Sequence, residues 1–292
     1  MSVPLPTRQK WFDDGAAALE RAFPGTTAAQ FGPEAPIRYA CPICDGLFER
    51  SDLERNVLTV EHVPPAAIGG KGLVLTCKPC NNESGDSIDA DLVHRERIDA
   101  VGRGEYTGET KVFLHTDEGR IAATLIADAD SRQLHISDVN NPPGVVDAVR
   151  PTLKAGVPVQ VEHRTWRFAE LGANLSLLKA GFLALFAIYG YRLSRNKAYE
   201  VVRRQILNPD TAIIRQHLIN LPPHIRRDEQ HVVVMRDLAC HGVMMRGQIA
   251  LFPFEGDESF YDRLAGRADG DLVTGTVLGW PSGPTYGQKL SM

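Results

Sequence analysis

Two Cys-x-x-Cys pairs, Cys41/Cys44 and Cys77/Cys80, are separated by 32 residues in a chain of 292. Four thiolates at that spacing can close a tetrahedral shell around zinc, and a closed shell stabilises a fold while leaving no coordination position for chemistry. Between and beside the pairs stand Glu61, His62 and Asn81. A carboxylate, an imidazole and a carboxamide suit an oxygen-loving ion such as magnesium better than they suit zinc already satisfied by sulfur. The stretch from Cys41 to Gly85 therefore reads as a frame and a working site.

The elements around these residues must bring them together. Val57 to His62 has strand character and ends at Pro64-Pro65, and Gly69 to Gly72 reads as a flexible loop. A second short strand, Leu73 to Thr76, delivers the chain to Cys77, and a helix is expected after Asn81, with Ile88, Leu92 and Ile98 on its apolar stripe. Upstream, residues 11–23 pattern as a helix, followed by a Pro- and Gly-rich linker to residue 36. Downstream, 111–116, 120–127, 132–137 and 158–164 read as strands of an antiparallel meander. Long helical segments from Leu171 to about Arg204 follow, with Ser194 or Asn196 as a cap, and then strands at 231–236, 243–252 and 272–280. The expected fold class is α+β, divided as 1–36, a zinc-stabilised module at 37–100, and a helix-plus-antiparallel-sheet domain at 101–292.

Hydrophobic content of 43% and charged content of 23% are those of an ordinary globular protein. Five cysteines with four in pairs favour metal ligation in a reducing compartment over a disulfide framework, and Cys240 is left as a buried small apolar side chain. The N-terminus has no apolar signal-like run, and the apolar stretch 180–191 is only 12 residues long, so no membrane association and a cytoplasmic location are expected. The net charge is −4, yet residues 150–229 carry 13 basic against 6 acidic side chains. That concentration is what a polyanionic partner would meet.

In Cys41-x-x-Cys44, Glu61-His62-x-x-Pro65, Gly69-Gly70 and Leu75-x-Cys77-x-x-Cys80-Asn81, the sequence resembles the zinc-framed HNH, or ββα-metal, endonucleases. The resemblance covers roughly residues 37–100. It implies a ββα-metal module with structural zinc on Cys41, Cys44, Cys77 and Cys80. It further implies a catalytic magnesium or manganese ion on Glu61 and Asn81, and His62 as the general base that hydrolyses a DNA phosphodiester. Two positions depart from the family pattern. Glu61 stands where most members have Asp, and no Asn or His lies between His62 and Cys77 to tie the loop. By analogy the activity would serve bacterial defence or restriction.

DNA is the expected partner, with RNA left open. Arg192, Arg195, Lys197, Arg203 and Arg204 are the candidates for holding its backbone. The competing expectation is a non-catalytic, zinc-dependent module that binds nucleic acid or protein. The remaining histidines, among them His94, His115, His163, His217 and His241, show no spacing that builds a site, and a packing role is expected of them.

Overall fold

The computed structural model describes residues 3–84, 88–117, 119–128, 131–137, 140–154, 159–222, 224–265 and 274–287. Helices and antiparallel sheets make up the chain, in agreement with the α+β expectation. It forms two compact units, one of residues 1–90 with 170–292 and one of residues 91–169. These bounds cut the chain differently from the expected 37–100 and 101–292. The cysteine segment and the C-terminal helices and sheet share a unit, and the meander interrupts it.

Helix α1 (Leu5–Ala22) starts six residues before the expected 11. Pro6 falls in its first turn, where a missing N–H removes nothing the helix uses. A short α2 (Thr26–Phe31) occupies part of the stretch expected to be a linker. Strands β1 (Tyr39–Ala40) and β2 (Leu47–Phe48) pair across the first cysteine turn. Strands β3 (Leu58–Val63) and β4 (Lys71–Cys77) pair antiparallel, with β4 absorbing part of the expected glycine loop, and β4 passes directly into α3 (Lys78–Ser84). The Gly85 end of the motif and Asp86 lie outside the described residues.

Helix α4 (Ala90–Arg103) leads into the second unit. There β5 (Gly108–Thr116), β6 (Gly119–Ala127), β7 (Arg132–Ile136) and β8 (Gln160–His163) form an antiparallel sheet in the order β7-β6-β5-β8. Val112, Leu114, Ile121, Ala123 and Leu125 on this sheet pack with Val149 of α5 (Val145–Val149), which explains the alternation seen in the sequence.

The core of the first unit is α6 (Glu170–Tyr189), buried at fifteen of its twenty residues. Such an all-round apolar helix needs covering on every side. By length and composition it could cross a membrane, but 83% of its apolar window is buried within the protein. After α7 (Tyr191–Ser194), Asn196 caps α8 (Lys197–Leu207) by accepting from the Ala198 N–H at 3.0 Å. Among the described residues, five strands complete the unit: β9 (Leu218–Asn220), β10 (His231–Met235), β11 (Cys240–Met245), β12 (Gln248–Pro253) and β13 (Thr276–Gly279). They run antiparallel in the order β13-β10-β11-β12-β9, with α9 (Phe260–Leu264) against β12. Glycine is required at Gly181, where a Cβ would sit 2.6 Å from the Phe252 ring, so α6 lies directly on the sheet.

Candidate metal centre and adjoining site

The frame is assembled at two turns. Cys41 leaves β1 into a tight turn in which the Asp45 N–H donates to the Cys41 carbonyl and the Cys41 N–H donates to the Gly46 carbonyl, both at 2.9 Å. Asp45 adopts the left-handed backbone this requires, with φ of 59°. Cys77 ends β4 and Cys80 lies in the first turn of α3, so the strand-to-helix junction turns both sulfurs to one side. All four sulfurs lie within 4.8 Å of one another, with Cys44 and Cys77 at 3.6 Å. A tetrahedral zinc with Zn–S near 2.3 Å puts sulfurs about 3.8 Å apart, so the donor set fits zinc. Burial pushes the Cys41 thiol well above its usual range, while the exposed Cys44 is drawn down by hydrogen bonds from the other three sulfurs.

The frame is tied into the core helices. The Tyr191 hydroxyl donates to the Ala40 carbonyl at 2.7 Å and accepts from the Ala40 N–H at 3.1 Å. Tyr39 donates to the Leu75 carbonyl at 2.8 Å, and both tyrosines are fully buried. Arg195 donates to Asp45 at 3.2 Å and Arg203 pairs with the same carboxylate. Two of the five residues expected to hold a nucleic-acid backbone are thus turned inward onto the first cysteine turn. Burial lowers both guanidinium pKa values. Arg192, Lys197 and Arg204 are exposed.

Between β3 and β4 the register shifts, with Glu61 opposite Val74 and His62 opposite Gly72. Glu61 and His62 consequently face different surroundings. His62 is half-buried, and its Nε2 lies 4.0 Å from where a Cβ on Gly72 would be. Burial lowers the His62 pKa and favours neutral imidazole. Asn81, on α3, donates through Nδ2 to Thr59 Oγ1 at 3.0 Å and to the Val60 carbonyl at 3.1 Å. Helix α3 is thereby tied to the strand that carries His62.

Glu61 turns the other way. It is 3% exposed, with Oε1 accepting from Lys179 Nζ at 3.0 Å and Oε2 from Thr76 Oγ1 at 3.3 Å. Lys179 also donates to Asp89 Oδ2 at 2.5 Å, and Ser176 donates to Asp89 Oδ1 at 2.6 Å. Burial raises the Glu61 pKa and is only partly offset by Lys179. Both Glu61 oxygens are thus occupied by protein donors. Of the three expected working residues, His62 is half-buried beside Gly72, Asn81 is held on Thr59 and Val60, and Glu61 is buried on Lys179 and Thr76.

The sequence reading missed Lys179, Asp89, Ser176 and Thr76. One signal was present: Lys179 is the lone charge in the apolar run from Leu171 to Tyr189. The loop between β3 and β4 needs no tying Asn or His, because the Ile68 and Gly70 N–H groups donate to the Pro65 carbonyl at 3.0 and 3.2 Å. Gly70 is fixed as glycine here, since a Cβ would fall 1.4 Å from the Pro64 carbonyl oxygen. The outlying histidines are held locally: His94 to the Arg167 carbonyl, His115 to Glu162, and His217 to the Asn174 carbonyl.

Compared with known proteins, residues 41–96 match the family model of the HNH endonucleases. No curated protein and no solved structure matches the chain.

Proposed function

We propose that the protein, whose residues 41–96 match the HNH endonuclease family model, hydrolyses DNA phosphodiester bonds with His62 as the general base. The observation that carries the reading is the placement of His62: half-buried, over Gly72, on a strand braced by Asn81 and by the cysteine frame. A neutral imidazole can take a proton from water at neutral pH as the oxygen attacks phosphorus. The proton stays on His62 as imidazolium, the P–O bond to the 3′ oxygen breaks, that oxygen takes a proton from water, and the imidazolium returns its proton to solvent.

The four cysteines hold zinc in this scheme and fix the distance between β1 and the β4–α3 junction. A magnesium or manganese ion, when bound, would supply charge neutralisation at the phosphate. The expected ligand pair fits such an ion poorly, because Glu61 is enclosed by Lys179 and Thr76. Exposed Arg192, Lys197 and Arg204 are the basic side chains of α7 and α8 available to a DNA backbone.

The test is nicking of supercoiled plasmid by the zinc-loaded protein with magnesium or manganese. His62→Ala should reduce the rate by about 100-fold or more while leaving zinc content unchanged. The enclosure of Glu61 favours one alternative, a zinc-dependent nucleic-acid-binding module without catalysis. Plasmid that is bound by the wild type but never cut under either ion would establish that alternative.

A further inference from the structure

Each of the four carboxylate oxygens of Glu61 and Asp89 already has a protein donor: Lys179 for one oxygen of each, Thr76 for the second of Glu61, and Ser176 for the second of Asp89. Lys179, Glu61 and Asp89 are 1%, 3% and 7% exposed. Ser176 and Lys179 are three residues apart on α6 and so face the same way. A cation ligated by Glu61 would have to displace an ammonium 3.0 Å away in a place closed to water, with like charges meeting at that distance.

We propose that Lys179 is an internal cation that takes the place expected of a metal at Glu61, joining Glu61 and Asp89 to the core helix and so positioning His62. The inference rests on the nuclease reading for the role of His62 alone. Glu61 and His62 are adjacent in β3, at the point where its register with β4 shifts, so anchoring the first side chain fixes the backbone from which the second projects. Asp89 lies just ahead of α4, and its attachment holds the end of the cysteine segment to the same helix. Burial works against the ammonium form, and the two carboxylates more than offset it, so Lys179 stays charged. The site thus carries its compensating charge from a helix about 80 residues beyond the matched segment. Lys179 is in this sense a positioning residue.

Three measurements on the zinc-loaded full chain test this: manganese affinity by electron paramagnetic resonance, melting temperature without added magnesium or manganese, and kcat with KM for plasmid nicking. Glu61→Gln should leave manganese affinity within about twofold of wild type, against a loss of about tenfold or more if Glu61 is a ligand. The same variant should melt at lower temperature, because a buried lysine keeps only Asp89 as a charged partner. Lys179→Met should reduce kcat by about tenfold or more at unchanged KM, and Lys179→Arg should restore part of it.

The proposal is overturned if Glu61→Gln loses manganese affinity, or melts no lower than wild type. It is likewise overturned if Lys179→Met stays active and binds manganese more tightly, since the ammonium would then only stand in for the ion. Should Lys179→Met fail to fold, Glu61→Gln decides. Should wild type bind no manganese, the melting temperature of Glu61→Gln decides. A wild type that cuts nothing refutes the nuclease reading and leaves the affinity and melting outcomes readable.

Discussion

The cysteine cluster and the Glu61–Asp89 cluster face the same electrostatic problem and solve it differently. Each gathers groups whose ionised forms repel one another, the carboxylates buried and the sulfurs buried except at Cys44. At the carboxylates the protein brings its own cation, Lys179, with hydroxyl donors on the remaining oxygens. At the sulfurs the guanidinium groups of Arg195 and Arg203 pair with Asp45, and Arg203 also lies in the field of Cys44. The first cluster is complete as a polypeptide. The second is a donor set that suits a metal ion, so the two clusters differ in where their compensating charge would come from.

Zinc removal is the largest way to break this comparison. Chelation, or Cys41→Ser, should lower the melting temperature by about 10 °C or more, with about one zinc per chain lost on assay. If the thiol cluster were self-sufficient like its carboxylate counterpart, stripping the metal would change little.

Next in size is Lys179→Met. Leaving two buried carboxylates without their cation should cost about 3–5 kcal/mol in urea unfolding. Neutralising all three positions together, as Lys179→Met with Glu61→Gln and Asp89→Asn, should recover much of that loss. Replacing all four cysteines by serine should recover nothing, because the frame then has neither sulfur nor metal.

A smaller effect separates both clusters from the C-terminal sheet. Burial lowers the pKa of His217, and burial lowers that of His241 to about 4. Groups held neutral in this way contribute stability that is present above their ordinary value near 6.5 and is lost as pH falls through the lowered one. Thermal stability should therefore decline from about pH 6.5 toward pH 4, and His241→Asn should flatten that slope with zinc content unchanged at pH 7. The smallest effect is expected of Asp45→Asn. It removes the shared partner of two partly exposed arginines and should cost about 1 kcal/mol, visible as slightly faster zinc loss to a chelator.

Features written in short spacings were legible in the sequence. The cysteine pairs, the two strands around His62, the meander at β5–β7 and the buried helix α6 all follow from local patterns of ligand type and apolar periodicity. Cys240 is buried, as a leftover small apolar thiol should be. The partner of Glu61 was not legible, because Lys179 is 118 residues away and only the fold selects it. Counting charges between 150 and 229 could not separate Arg195 and Arg203, held on Asp45, from exposed Arg192, Lys197 and Arg204. Helix α1 began early because a proline that breaks a helix interior is welcome in a first turn. The unit boundaries escaped the reading because compactness depends on which distant elements pack, and Tyr191 reaches Ala40 across 151 residues.

That last hydrogen bond has a bearing on how the protein is made. Residues are added at about 5–20 per second, so Lys179 leaves the ribosome roughly 5–20 s after Asp89, from which it is 90 residues distant. The sulfurs can capture zinc in that interval, but Glu61 and Asp89 have no counter-ion until α6 follows, and Ala40 has no clamp until Tyr191 does. The zinc turn can thus form during synthesis, whereas the strand bearing His62 is locked only after the intervening sheet has been built.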